Sequence, residues 1–319
     1  MITETALSEC RGMEQRALSV SVVVPTRNRN QDLERCLLAV SRLQPQPAEV
    51  LVVDSAPSGD GAREVAARWR ARYVREDKPG ASRARNCGAR AARGDIVAFT
   101  DDDAAPDVSW LSLILPDFSD ANVALVAGKV ITPVSDTEFN RLYELCGFVG
   151  QGDERLVVDR NTPHWFEKVN FLPFGLALNL AIRRSVFQQW SGFDERIGVG
   201  THVPGHEEQH AFLELIDLGF RLVYEPAARV THPLSARCAE ELRTRCLRRM
   251  QASSAYLTLL MVEEPKHWRE VLGYVIGKFR SSPQPQSVHA GDRIPALQKV
   301  LARMQGPGLY FKARSQGRT

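Results

Sequence analysis

Three aspartates, Asp101, Asp102 and Asp103, stand side by side after the apolar run IVAFT. Like charges this close make one another harder to ionise. Such a cluster therefore calls for a solvated turn or a cation. Asp-x-Asp at a strand end offers two carboxylate oxygens to Mn²⁺ or Mg²⁺, hard ions that keep open positions for water and phosphate oxygens. An EF-hand does not fit, because DDDAAPDVSWLS has Pro106 at its sixth place and Ser112 at its twelfth, where Gly and Glu are needed. A second acidic pair, Glu207–Glu208, opens a helical stretch with His210 close behind. Acids there complement the helix dipole. His232, before Pro233, closes a strand-like run.

The elements around these residues read as an α/β sheet. SVSVVVP is a β-branched strand stopped by Pro25. NQDLERCLLAVSRL follows with Leu33, Leu37, Val40 and Leu43 at helical spacing and Asn30 placed as its cap. AEVLVVDS, a helix, YV, the glycine-interrupted helix GASRARNCGARAAR and DIVAFT continue the alternation. That order predicts a parallel sheet with right-handed crossovers, whose ligands bind outside the carboxyl ends of the strands. Three such ends, PTRNR, DSAPSGD and DDDAAPD, carry polar residues and converge on one crevice. No G-x-G-x-x-G or P-loop is present. Residues 135–170 read as a mixed insertion, and RIGVGTHVPG as a glycine-rich loop able to close over a ligand. Asn179 either holds nearby backbone or ends a strand, and Arg183 and Arg184 either lie at the surface or contact a ligand. From about Ser235 the chain is mostly helical, broken by the linker-like SSPQPQSVHAGD.

Composition narrows the classes. The chain has 319 residues and a net charge of +3, too mild to imply nucleic acid. Six scattered cysteines without a C-x-x-C pair make neither a zinc framework nor a disulfide scaffold, which fits a reducing cytoplasm. No apolar run reaches the roughly 18 residues that cross a bilayer. Glu4, Glu9 and Arg11 give the N-terminus a layout unlike a signal peptide. A cytoplasmic location follows. ASSAYLTLLMV, with Arg243, Arg245, Arg248 and Arg249 ahead of it, reads as a packed helix or as a peripheral contact on the inner face of the membrane.

Taken in order, VVVPTRNR, VLVVDSAPSGD, ASRARNCGARAARGDIVAFTDDDAAPDVSWL, LNLAIRRSVFQQWSGFDE and GHEEQHAFLELIDLGFRLVYEPAARVTH resemble a family 2 glycosyltransferase of the GT-A fold. The resemblance covers about residues 19–233. It implies an α/β fold with a mostly parallel sheet flanked by helices: a lead-in at 1–18, a GT-A domain at 19–235 and a helical C-terminal extension at 236–319. It also implies inverting transfer of a sugar (EC 2.4) from a UDP-, GDP- or dTDP-sugar to an unidentified hydroxyl on a glycan, lipid-linked or small-molecule acceptor, with Mn²⁺ or Mg²⁺. Carried over by position, Pro25, Thr26 and Arg27 line the nucleobase pocket and Asp54 contacts base or ribose. Arg85, Asn86 and Gly88 lie near base and diphosphate. Asp101 faces ribose and metal-bound water, Asp102 lies between, and Asp103 and His232 ligate the metal. Glu208 is the expected base beside Glu207. The family's usual base is Asp, and His210 stands where a further acid is usual, so His210 is the alternative base. Two rivals remain. A sugar-1-phosphate nucleotidyltransferase would want a glycine-rich first loop, which PTRNRNQD lacks. A non-catalytic sugar-nucleotide or membrane-surface module would need no base.

Overall fold

The computed structural model describes residues 17–133, 152–233, 239–280, 294–315 and 317. Its strands are β1 (Val20–Thr26), β2 (Glu49–Ser55), β3 (Arg72–Glu76), β4 (Ile96–Phe99) and β5 (Ala105–Pro106). They continue as β6 (Val123–Ile131), β7 (Leu156–Val158), β8 (Leu180–Arg183) and β9 (Arg221–Thr231). The helices are α1 (Asn30–Val40), α2 (Gly61–Arg68), α3 (Ala81–Ala91), α4 (Trp110–Ile114), α5 (Trp165–Asn170) and α6 (Glu207–Asp217). Three more form the C-terminal region: α7 (Ala239–Glu263), α8 (Trp268–Arg280) and α9 (Ala296–Arg314).

The β-branched runs pair side by side in the order β3-β2-β1-β4, all parallel. Alternation along β1 sends Val22 and Val24 to a core shared with α1, α2 and α4. Val23 points the other way, to a core shared with α3 and α6. Beyond β4 the sheet becomes mixed. β8 inserts antiparallel between β4 and β6, and β6 pairs parallel with β9. β5 and β7 both add antiparallel to β9. A register shift at Gly128/Lys129 bends the β6–β9 ladder. Buried Asn179 secures the bend, donating to the carbonyls of Lys129 and Ala228 (both 3.0 Å) and accepting from Trp110 Nε1 at 2.7 Å. Asn30 begins α1, so Arg29 rather than Asn30 takes the cap position, without a side-chain cap bond.

A third core joins Phe166, Ile197, Val203 and Leu213 to Tyr256, Leu259 and Leu260 of α7. Arg196, itself buried, adds an ionic tie. It forks onto Asp194 on one side and onto Glu263 of α7 on the other, where both contacts are 2.7 Å. The C-terminal helices are thus held to the sheet by apolar packing and by charge. Among the cysteines, Cys36 and Cys87 are free, but Cys246 is disulfide-bonded, to a partner outside the described residues. A bridged Cys246 was not expected of cysteines read as fitting a reducing cytoplasm. SSPQPQSVHAGD, residues 135–151 of the 135–170 insertion and the proposed boundary at 235/236 also lie outside the described residues.

Gly88 on α3 illustrates how tightly helix and sheet meet. A Cβ there would lie 2.3 Å from Val23 Cγ1 and 3.1 Å from Val53 Cγ2. Gly88→Ala is therefore expected to lower the unfolding free energy by a net ~1–2 kcal/mol, the overpacking cost exceeding the helix propensity that Ala gains. Urea titration should show a lower midpoint with an unchanged slope. A midpoint equal to or above the parent's would mean that the sheet yields.

Candidate active site

The parallel pairing of β1 and β2 places Thr26 beside Asp54. β4 ends one strand over, and its chain turns sharply, Ala104 N–H donating to Asp101 O at 3.1 Å. β5 then pairs with β9, Ala105 opposite Thr231. That single pairing sets the aspartate turn against the end of β9, where His232 Nε2 lies 3.1 Å from Asp103 Oδ1.

The trio is balanced by three cationic side chains. Arg29 Nη1 donates to Asp103 Oδ2 at 2.7 Å and to Asp102 Oδ1 at 3.3 Å. Arg85 Nη2 donates to Asp101 Oδ1 at 3.0 Å. Thr26 Oγ1 donates to Asp102 Oδ2 at 2.7 Å. Burial pushes Asp102 up to about 6; the Thr26 bond and Arg29 offset part of that, and the flanking aspartates add to it. Burial alone would also raise Asp103, but the hydrogen bond and charge of His232, with Arg29, hold it below the usual carboxylate range. His232 is raised in turn, its desolvation outweighed by Asp103 and Asp101. The donor set of carboxylates and one imidazole suits Mn²⁺ or Mg²⁺. The Arg29 guanidinium, bridging Asp102 and Asp103, is a cation already standing between two of the carboxylates. Carboxylate oxygens are the chemistry a divalent ion takes, while among the described residues the ligand atoms gathered three together within 4.8 Å of one another are those of Asp217, Glu264 and His267.

Arg85 reaches a second acid. Its Nη1 donates to Glu207 Oε1 at 3.2 Å. Both side chains are buried, so one guanidinium joins the aspartate trio to the start of α6. Burial, then the charge of Glu208, raises the Glu207 carboxyl well above its ordinary value, and Arg85 offsets part of this. Glu207 Oε2 has no hydrogen-bond partner. Glu208, half-buried, accepts the Ala177 N–H on Oε1 at 3.1 Å.

The remaining candidates are distributed unevenly. Asp54 is buried and accepts from Tyr73 OH at 3.1 Å, while its Oδ1 has no partner. It faces a cavity of about 210 Å³ lined by Asn28, Asn30, Ser58 and Gly59. Pro25 is half-buried and Arg27 exposed, just past it. Asn86 points elsewhere: its amide exchanges two bonds with the Phe193 backbone, 2.8 Å and 2.9 Å, and thereby pins the following loop to α3. His210 lies on the opposite side of α6, fully buried, edge-on to Tyr256 of α7 and 3.8 Å from Glu214. The structure therefore does not bring it to the carboxylates. The loop RIGVGTHVPG is tethered through Ser82 Oγ to Ile197 O (2.8 Å) and Ala81 N–H to Val199 O (3.0 Å), with Val199 exposed.

A larger cavity, about 390 Å³, opens at the other edge of the sheet around Leu18, Asp95, Arg183 and Arg184. Its size does not make it the site. It lies at the amino ends of β1 and β4, and parallel strands bind ligands at their carboxyl ends. Arg183 is spent on the carbonyls of Phe118, Asp120 and Val123, and Arg184 Nε on Gly94 O.

Sequence reading missed Arg29. A basic residue before a helix is unremarkable until the sheet brings β4 alongside β1.

The model of the family described as "Glycosyl transferase family 2" matches residues 21–190. A pre-mycofactocin glycosyltransferase of Mycobacterium tuberculosis is 32% identical over 217 residues, 67% of this chain. The chain spans 42% of that relative's length. Among solved structures, S. aureus TarS 1–349 superposes with a TM-score of 0.58 at 16% identity, over 93% of this chain and 81% of that one. GalNAc-T7, solved with UDP, GalNAc and Mn²⁺, gives 0.53 at 16% identity, over 81% and 55%. These likenesses show a fold of the GT-A type, with the helical C-terminal region present.

Proposed function

The chain belongs to glycosyl transferase family 2, and from that premise we propose that it moves a sugar from a nucleoside-diphosphate sugar to an acceptor hydroxyl, with inversion and with Mn²⁺ or Mg²⁺ bound. The observation that carries this reading is the aspartate turn at the end of β4, neutralised by Arg29, Arg85 and His232 and joined through Arg85 to the acidic start of α6. Asp54 Oδ1, buried and unpartnered, would accept an N–H of the nucleobase or a ribose hydroxyl. Asp101, Asp103 and His232 would hold the ion. When bound, a divalent cation stabilises the charge that grows on the departing nucleoside diphosphate. Glu208, with Oε1 fixed by the Ala177 N–H, takes the acceptor's proton on Oε2. The acceptor oxygen then bonds to the anomeric carbon as the bond from that carbon to the diphosphate oxygen breaks. Glu207 and Arg85 hold Asp101 in place and touch no acceptor. His210, shut against α7, has no part. GalNAc-T7, which shares the fold, was solved with UDP and Mn²⁺, and that supports the donor and ion classes. No helix among the described residues is long and apolar enough to cross a membrane.

A panel of UDP-, GDP- and dTDP-sugars with Mn²⁺, Mg²⁺ or chelator, scored for nucleoside diphosphate released by slow attack of water, tests the reading without a known acceptor. One donor should yield nucleoside diphosphate only when a divalent ion is present. Pyrophosphate formed from a nucleoside triphosphate and a sugar 1-phosphate would replace this reading with a nucleotidyltransferase.

A pH effect follows from the same residues. Asp102, at about 6, and His232, also raised, both hold protons more tightly than usual. An arriving dication must displace them, so affinity for Mn²⁺ with nucleoside diphosphate should fall up to about tenfold per unit as pH drops below about 6. His232 extends the decline upward from its own ordinary range. Calorimetric titration at several pH values reads this, and a flat profile across the acid range would remove Asp102 and His232 from the ion's surroundings.

A further inference from the structure

ASSAYLTLLMV reads in sequence as a packed helix or as a membrane contact, and the structure packs it inward. Ala252, Ala255, Tyr256, Leu259 and Leu260 are buried in the third core. Exposed apolar side chains stand on α8, at Trp268, Leu272 and Ile276, and in a longer stripe on α9. One side of that helix is fixed: Ala302, Gly306, Tyr310 and Ala313 are buried. Gly306 approaches α7 so closely that a Cβ would meet Ser254 Cβ at 2.5 Å. Tyr310 OH donates to Glu263 Oε1 at 2.9 Å. The opposite side carries Leu297, Val300, Leu301, Met304 and Phe311, spaced so that they form one stripe along a helix. Leu297 is 68% exposed and Met304 71%. Single exposed apolar residues are ordinary, whereas a continuous stripe marks a binding surface.

Charge identifies the occupant. α9 contains Lys299, Arg303, Lys312 and Arg314 and no acidic residue. On the helix, Arg303 and Arg314 flank the stripe on one side and Lys312 on the other. A second copy of this chain would set Arg303, Lys312 and Arg314 against themselves, a like-charge contact that is disfavoured. An anionic bilayer offers phosphates to the cations and acyl chains to the stripe, and long basic side chains reach both zones.

We infer that α9 is an in-plane membrane contact, laying Leu297, Met304 and Phe311 into the headgroup boundary of an anionic lipid surface while its basic flanks meet the phosphates. The inference stands apart from the transferase reading, since it needs neither donor nor ion.

The full chain is sedimented with vesicles of phosphatidylcholine and phosphatidylglycerol in equal parts, and with vesicles of phosphatidylcholine alone. Binding should be strong on the first, at least tenfold weaker on the second, and weakened by salt. Arg303→Gln with Lys312→Gln should weaken it about fivefold per charge, the effect of roughly one basic residue each at an anionic surface. Leu297→Glu with Met304→Glu should abolish it. Both variants alter exposed side chains, and unchanged thermal midpoints would confirm their folding. The wild-type salt and lipid dependence stands even if a variant misfolds. Equal binding to both vesicles, no binding to either, or variants that bind like the parent would overturn the inference. So would Leu297→Glu/Met304→Glu converting a wild-type dimer to monomer in sedimentation velocity, because the stripe would then join two copies of the chain.

Discussion

Asp103→Ala is expected to lower turnover on the order of a thousandfold or more, with Mn²⁺ and Mg²⁺ alike, in a protein that still folds. Asp103 is where the site's positive charges meet: His232 contacts Oδ1 and Arg29 contacts Oδ2. Removing the carboxylate leaves Arg29 without its nearer acid and takes an oxygen ligand from the ion that the site would otherwise attract. The folding cost should be small, because Arg29 is half exposed and its ion pair correspondingly weak. Binding of nucleoside diphosphate, measured with and without Mn²⁺, separates the causes. In the parent, Mn²⁺ should tighten it. In Asp103→Ala it should make little difference. Asp103→Asn keeps the volume and loses the charge, and it should fail in the same way. Either variant turning over at the parental rate with the parental ion dependence would leave the aspartate turn as a solvated loop.

Arg29 gives a further view of the same balance. Its guanidinium holds Asp102 and Asp103 together, so it would oppose an incoming dication as well as place its ligands. The crowding of three carboxylates is therefore answered within the chain itself, by Arg29, Arg85 and His232.

Much of this arrangement was legible from local pattern. The β-branched runs of β1, β2 and β4 announced a buried parallel sheet, and their polar ends, Thr26, Asp54 and Asp102, do come together. The mixed half was not legible, because β8 reaches its place between β4 and β6 through contacts that no local stretch of sequence encodes. Asn86 shows a different gap. In sequence it reads as a ligand residue, yet its amide is committed to the backbone of Phe193, a pairing 107 residues distant. His210 sits two residues from Glu208, and only the docking of α7 shows that this face of α6 is closed. The α9 stripe has the same origin: its alternation is visible in the sequence, but which side is buried depends on how Gly306 meets α7.

Glu207 and Glu208 are neighbours with different surroundings, and paired substitutions should separate them. Glu208→Gln is expected to lower kcat by about a hundredfold to ten-thousandfold while donor affinity stays within about twofold. Its Oε1 is held by the Ala177 N–H, and Gln preserves that acceptor, so the change removes the proton-accepting charge and little else. Glu207→Gln should behave otherwise. Glu207 is buried against Arg85, which also holds Asp101, so losing the carboxylate leaves a buried guanidinium with one acid instead of two. Donor affinity should weaken, and kcat should change less than in Glu208→Gln. If donor affinity instead collapses in Glu208→Gln, that residue belongs to the donor pocket. The base would then have to be Glu207, whose unpartnered Oε2 is the other carboxylate oxygen at the start of α6 with no donor upon it.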